Sequence, residues 1–491
     1  VPKPTRLLTS LALVAAVGTA AVVPAGAVLA PGDDGIGDPY FPLDGNGGID
    51  VLHYDVGVTY EFQTRCDPAR LDGVSTLEVR ATQDLSSFNL DLLLGVEGVV
   101  VDGVPAEAEK AGRHELVVTP AEEVTAGDTF TVEVTYGGEP RPDVPWNPKD
   151  PKCDHPTKQP APLSYAGESN WLADRTEVVT MNEPHMAPWW FPSNDHPRDK
   201  ATFDIRVTTD ADKDVISNGK RVSRVVDGGL ATTHWRLAQP TTTYLAYFAA
   251  GDFAVSTGRT GGIPWVTAVS KRLPDGSRGY IKRTVNRSGP VTVWLEEHLG
   301  DYPFDSTGGL VTDLSSGFAL ENTTRPTYSG GIGTAVLVHE LAHQWFGDSV
   351  AIHRWRDIWL NEGFATYMEA VYYAEHGDES IPRWLERNYR ETKRWGSFWR
   401  VDLTDPGPRR IFAWAVYQRG AMALAALRGK LGGRPFDRML RTWATEKRHS
   451  TARVGEFIAL AEDVAGHGLD RFFRVWLKAP RPPKPTERNG F

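Results

Sequence analysis

Only two cysteines, Cys66 and Cys153, occur in 491 residues. That excludes a disulfide-built scaffold and a thiolate metal cluster, because neither cysteine has the close spacing such a site needs. In an oxidising compartment the two could pair, closing a loop worth roughly 4 to 5 kcal/mol of chain entropy at best; otherwise they are separate thiols. Long runs of one charge are missing too. Acidic and basic residues are interspersed around a formal net charge of -10, so no nucleic-acid partner is expected. Past residue 30 no apolar run is long enough to cross a bilayer, and no repeat at solenoid periods occurs. What remains is an ordinary globular balance, 41% hydrophobic and 24% charged residues, in a chain too long for one hydrophobic core. Two or more domains are expected.

Residues 1–30 differ from the rest. Lys3 and Arg6 precede an apolar stretch from Leu7 to Val23, and Ala25-Gly26-Ala27 supplies small residues. This reads as a signal peptide cleaved near Ala27, which makes the protein secreted and extracellular with no permanent membrane span. An uncleaved anchor is the rival, disfavoured by Thr9, Ser10 and Gly18 within a short stretch. No cysteine follows for a lipid anchor.

After a mature N-terminal segment, 31–48, residues 49–257 read as strands. His53 to Phe62, Ser75 to Ala81, Thr129 to Tyr136 and Ala201 to Thr208 alternate apolar with polar residues, and Asp102-Gly103, Asn218-Gly219 and Asp227-Gly228 offer hairpin turns. A Pro-rich stretch from Gly138 to Pro162 predicts a long surface loop. The pattern changes at Ser256-Thr257-Gly258, read as a connection. Over 258–491, helical spacing marks Val291 to Leu299, Ala335 to Phe346, Asn361 to His376, Ala413 to Leu431 and Val454 to Ala465, with a short β element before the first motif. From Ala479 the tail is rich in proline and charge. The expected fold class is α+β and multidomain.

Val338-His339-Glu340-Leu341-Ala342-His343-Gln344 lies in a helical run that Gly347 is suited to end. Histidines four apart share one face of a helix and can share a metal, for which zinc is the natural guest. A third protein ligand is needed, and Glu362, opening the next helical segment, is the candidate. Zinc lowers the pKa of water it binds to about 7, yet a base must still take the proton during attack on a carbonyl. Glu340, beside the first ligand, can be that base. Glu369, two turns further along, either hydrogen-bonds the far nitrogen of a ligand histidine or is a solvated helix carboxylate.

Three stretches carry a family resemblance: His339 to Asp348, Trp359-Leu360-Asn361-Glu362-Gly363-Phe364-Ala365 and Gly317-Phe318-Ala319-Leu320-Glu321-Asn322. With them the chain resembles the aminopeptidase N (membrane alanyl aminopeptidase) family of gluzincin zinc metallopeptidases over nearly everything after the signal. The third stretch looks like that family's Gly-Ala-Met-Glu-Asn exopeptidase motif, with Phe318 at its first glycine. A short β edge at Phe318 to Asn322 can pair with an extended peptide while Glu321 faces its N-terminal amine. An internal peptide segment would leave that carboxylate unpaired, so free amines are selected.

The resemblance implies further roles. It aligns Glu183 with a second amine-binding position, with Met181 where many members have glutamine, and makes Ala319, Leu320 and Asn322 substrate-binding, Leu320 lining the first side-chain pocket. It points to Tyr417, in Tyr417-Gln418-Arg419-Gly420, as an oxyanion donor. Glu183 capping a turn, Glu321 as an edge-strand carboxylate and Tyr417 as a core aromatic are the plain alternatives. Phe191 to Pro197 resembles a structural signature without chemistry. The resemblance implies a saddle-like β domain followed by a thermolysin-like catalytic domain, one Zn2+ per chain and peptide substrates with a free N-terminal amine; with no helical segment read beyond about Leu477, the large C-terminal helical domain of many relatives is expected to be missing. A zinc endopeptidase and a noncatalytic peptide-binding relative are the rival functions.

Overall fold

The computed structural model describes residues 29–140 and 171–491. The expected signal peptide and its cleavage point, Cys153, and residues 141–162 of the Pro-rich stretch lie outside the described residues. Cys66 is disulfide-bonded.

Period-two alternation builds the first half. In the strand Ile49–Glu61, Tyr54, Val56, Val58 and Tyr60 turn to the core, and Val51 joins them because a bulge before His53 resets the phase. This strand is central in an eight-stranded sheet. The order is Lys220–Asp227, Leu230–Thr242, Lys200–Asp210, Ile49–Glu61, Arg70–Ala81, Thr129–Gly138, Gly95–Val101, Val104–Pro105. Lys200–Asp210 and Ile49–Glu61 run parallel, and the other neighbours are antiparallel. Two four-stranded sheets pack with it. One contains Leu85–Asp91 and Glu115–Thr119, the other Val178–Thr180, Asp214–Ser217 and Phe248–Gly251.

Asp102 and Gly103, both at positive φ, form the expected hairpin between paired Val101 and Val104. The next hairpin turns on Gly228-Gly229, since Asp227 is already paired with Leu230. Asn218-Gly219 makes no hairpin: it joins strands of different sheets. Gly219 is required there, since a Cβ would lie 1.8 Å from the Arg236 carbonyl oxygen. Asn218 instead ties the halves together, its Nδ2 donating to Leu245 O at 2.9 Å and Thr323 O at 2.8 Å.

The second half opens with a strand. Ser256, Thr257 and Gly258 lie inside Phe253–Thr260, paired with Ile263–Ser270, and not in a connection. Gly258 reflects close packing, since a Cβ would come within 2.2 Å of the Trp265 ring. Thr307–Thr312 and Thr327–Ser329 complete this four-stranded sheet. The helices are α1 Asp275–Val285, α2 Ser288–Leu299, α3 Thr334–Ala342, α4 Trp359–Glu375, α5 Ile381–Thr392, α6 Gly396–Trp399, α7 Trp414–Leu431, α8 Gly433–Glu446, α9 Val454–Ala465 and α10 Asp470–Phe473. An N-terminal β-sheet domain thus precedes a mainly helical one, the expected α+β class. No helix among the described residues is long and apolar enough to cross a membrane. The Pro-rich tail packs back on the domain, with Asn489 O accepting from Trp476 Nε1 and Phe491 stacked on Trp476.

Helices α4 and α7 cross at two glycines. A Cβ on Gly363 would lie 2.9 Å from Gly420 Cα, and one on Gly420 2.8 Å from Gly363 Cα. This backbone-to-backbone approach sets the distance between Glu362 and Tyr417.

Candidate active site

His339 and Glu340 sit in the last turn of α3. His343 follows as its cap residue, still right-handed helical at φ -57° and ψ -26°, so the two imidazoles face the same way with ring centroids 4.7 Å apart. The helix stops at Ala342, before the expected Gly347. Gln344 and Trp345 donate to the carbonyls three residues back, which tightens the final turn; Gly347 at φ +133° then redirects the chain. Glu362 lies in the first turn of α4. Its Oε2 is 3.3 Å from His339 Nε2 and 3.4 Å from His343 Nε2.

The far nitrogens are committed elsewhere. His339 Nδ1 is 2.7 Å from Glu369 Oε1, and His343 Nδ1 donates to Phe346 O at 3.0 Å. A carbonyl only accepts, so the second bond fixes His343 with its Nε2 lone pair turned to the cluster. Two Nε2 atoms and a carboxylate oxygen, all within 4.8 Å of one another and buried, are the donor set of a tetrahedral zinc with one position left open. These residues fit the ion.

The cluster opens into a cavity of about 600 Å3. Glu183, Glu321, Glu340, Glu362 and Glu369 line it with both histidines and Tyr417. Glu321 and Glu340 each come within 4.8 Å of His343 through one ligand atom, as Glu183 and Glu321 do with Glu362. No lysine or arginine lines it among the described residues. Burial pushes the Glu340 carboxyl up to about 8. Burial and then the Glu321 charge raise Glu183 well above the carboxylate range, and burial likewise raises Glu321. Glu362 goes the other way: burial opposes ionisation, but His343 and His339 outweigh it and hold the carboxyl at about 2. Five carboxyl groups are thus gathered around two imidazoles with no lysine or arginine lining the cavity among the described residues. Tyr417, on the second turn of α7, lies parallel to His339 with ring centroids 6.0 Å apart.

Phe318 to Asn322 is not a strand. Leu320 alone is bridged, exchanging both backbone hydrogen bonds with Thr327 at 2.9 and 2.7 Å. Successive side chains then alternate, putting Ala319 and Glu321 on the cavity while Leu320 and Asn322 are wholly buried outside its lining. Asn322 Nδ2 donates to Thr327 Oγ1 at 2.9 Å. Leu320 and Asn322, expected at the substrate, thus have their side chains turned away from the cavity lining.

The matches to known proteins follow the same layout. The peptidase M1 N-terminal domain matches residues 52–245, and the peptidase family M1 domain matches residues 308–476. The chain belongs to peptidase family M1. It is 27% identical to endoplasmic reticulum aminopeptidase 1 of Rattus norvegicus over 79% of this chain and 43% of that one. With tricorn protease-interacting factor F2 of Thermoplasma acidophilum it shares 26% identity over 62% of this chain and 41% of the relative. The chain therefore spans less than half the length of these curated relatives. A solved M1 zinc metallopeptidase of Deinococcus radiodurans superposes with a TM-score of 0.77 at 28% identity, over 92% of this chain and 99% of the other. A mutant of an M1 zinc metallopeptidase from that organism was solved bound to a Tyr-Ser-Ala substrate, with a TM-score of 0.77.

Within this M1 site, sequence reasoning missed an apolar wall. Val336 precedes the first histidine by one turn, and Phe412 and Trp414 lead into α7; all three line the cavity yet remain 40%, 40% and 47% exposed. Nothing local distinguishes them from core residues, because only the tertiary arrangement leaves them bare.

Proposed function

We propose that this chain is a zinc-dependent aminopeptidase that removes the N-terminal residue from peptides. The observation that carries the reading is the gathering of five carboxyl groups and two imidazoles in one cavity that no lysine or arginine lines among the described residues. Two cations satisfy it, a zinc ion at His339, His343 and Glu362 and the ammonium of a peptide N-terminus at Glu183 and Glu321. A carboxyl pair turned toward a free amine meets no ammonium if the amine is acylated, which sets the exopeptidase preference. When bound, zinc supplies Lewis acidity, polarising the scissile carbonyl and acidifying water.

The remaining steps belong to the protein. Glu340 takes a proton from the attacking water and returns it to the departing amine, a double use suited to a carboxyl that burial has already raised. Tyr417 donates to the developing oxyanion. Glu369 holds His339 by its Nδ1, so Nε2 stays aimed at the metal. Ala319 gives the substrate a backbone edge beside the Leu320 bridge, and Val336, Phe412 and Trp414 give its side chains an apolar wall. The basic and apolar start of the chain supports export as a secreted enzyme, as does the disulfide at Cys66.

A panel of free-amine aminoacyl arylamides, assayed with and without a chelator, tests this. Expected are hydrolysis, its loss on chelation and its return with Zn2+. Turnover that survives complete metal removal contradicts the reading.

A further inference from the structure

Away from the cavity, the β domain buries a second group of metal-competent side chains. Asp91, His114 and Glu115 each offer one ligand atom, all within 4.8 Å of one another. Asp91 ends the strand Leu85–Asp91 and is paired directly opposite Glu115, the first residue of Glu115–Thr119. Directly opposed residues project from the same face of a sheet, so the pairing brings both carboxylates together. His114 precedes Glu115 and closes the group. Its Nε2 lies 3.1 Å from Glu115 Oε1, 3.8 Å from Asp91 Oδ1 and 3.2 Å from the Leu43 carbonyl oxygen. Asp91, His114 and Glu115 are 1%, 4% and 6% exposed.

The carboxylates are not satisfied by the fold. Asp91 Oδ2 accepts from Asn46 Nδ2 at 3.1 Å and from the Asp195 backbone N–H at 2.8 Å. Asp91 Oδ1 has no hydrogen-bond partner among the described residues, and Glu115 has only the His114 Nε2 contact at 3.1 Å. Bare buried acceptors cost about 1 to 3 kcal/mol each, and more when charged. Asp44 and Asp195 add negative charge around Asp91. Lys110 is the nearby cation: its Nζ donates to Leu92 O while its charge acts on both Asp91 and Glu115.

We propose that Asp91 Oδ1, Glu115 and His114 Nε2 form a second divalent-cation site, with the Leu43 carbonyl as a further donor, the cation displacing the proton that Nε2 otherwise donates to Leu43 O. An imidazole among oxygen donors favours a transition-type cation, Zn2+ or Mn2+, over Mg2+ or Ca2+. The role is structural. The cation joins the segment before the first long strand, through Leu43 and the Asn46 contact, to the paired strands. Through Asp91, whose N–H donates to Ser193 O at 2.7 Å, it also secures the turn at Ser193 to Asp195. Asp44 of the same segment is 2.8 Å from His185 Nδ1, two residues from Glu183, so the clamp backs the wall of the cavity without touching it.

The test counts cations in full-length protein carrying His343→Ala and Glu362→Ala, which removes the cavity site. This background is stripped with chelator, dialysed against Zn2+ or Mn2+ and measured by elemental mass spectrometry and thermal melting. About one equivalent bound, with a rise in Tm, is expected, and both should disappear when Glu115→Gln is added. Glu115→Gln keeps the side chain's length and an oxygen that can still accept from His114, so this variant should fold; His114→Gln provides the second loss-of-site variant and should behave alike. A folded background that binds no cation overturns the proposal, as does binding that both variants leave intact. The unaltered protein should bind one equivalent more than the background, so failure at the cavity and failure at this clamp are read separately.

Discussion

Glu340 and Glu362 lie in one buried cluster, yet their surroundings push them in opposite directions. Both imidazoles approach Glu362 and hold its carboxylate charged; Glu340 faces Glu321 and Glu362 as well as the histidines, and burial dominates. On the proposed mechanism the metal belongs to Glu362 and the proton to Glu340. Glu340→Gln should therefore keep its zinc, measured by elemental analysis, while kcat falls about 10^2- to 10^4-fold; near-normal turnover by a metal-loaded variant would remove Glu340 from the mechanism. The residues legible in the sequence were those whose relation is local. His339, Glu340 and His343 share one helical turn, so their spacing alone brings them together. Glu183 and Tyr417 come from strands and helices far apart in the chain, and only a family resemblance could pick them out. The resemblance treats Phe318 to Asn322 as one edge, whereas the Leu320 bridge to Thr327 leaves the Leu320 and Asn322 side chains buried outside the cavity lining.

The element that holds the site together is the crossing of α4 and α7. Glu362 rides on one helix and Tyr417 on the other, and Gly363 against Gly420 leaves no space for a methyl group. Gly420→Ala should push the helices apart, costing about 1 to 3 kcal/mol of stability by overpacking and lowering kcat more than a surface substitution of equal stability cost. Chemical unfolding and steady-state kinetics on the same variant check it, and unchanged values for both would mean the crossing is slack. Arg419 braces the same helix, its guanidinium donating to the carbonyls of Trp399, Val401, Trp476 and Ala479. Among elements, the helices with continuous apolar faces, α2, α3, α4, α7 and α9, were read from periodicity. Helices α5 and α8 are absent from that reading although their buried residues, such as Phe436, Met439, Leu440, Trp443 and Ala444, fall on one face, because arginine, glutamate and threonine dominate the rest of each sequence. The strand Phe253–Thr260 was mistaken for a connection because Ser256, Thr257 and Gly258 look like turn chemistry; Trp265 stacked over Gly258 is what makes them a strand.

For the whole molecule, stability depends on carboxyl groups buried far from the cavity. Asp199 is one: burial pushes it up to about 8, and a single oxygen, Oδ2, accepts from both Val51 N and Asn194 Nδ2 while Oδ1 has no hydrogen-bond partner among the described residues. Its folded pKa lies above its unfolded value, so the folded state holds the extra proton. Stability from this group is complete below about pH 4 and is lost as pH rises toward 8, at up to about 1.4 kcal/mol per pH unit. Asp199→Asn keeps an oxygen at the Oδ2 position and cannot ionise, so its urea-unfolding free energy should fall less between pH 5 and 8 than that of the unaltered protein. Identical slopes would contradict the assignment. The same scale carries the functional account, because the cavity exists only where the β domain brings Glu183 against α3, α4 and α7. Its central claim is that one cavity binds zinc and a free amine together. Mass spectrometry of a peptide digested in its free and N-acetylated forms tests that most directly. The account predicts a ladder of products shortened one residue at a time from the free N-terminus and an acetylated peptide left intact; internal cleavage, or equal consumption of both forms, would contradict it.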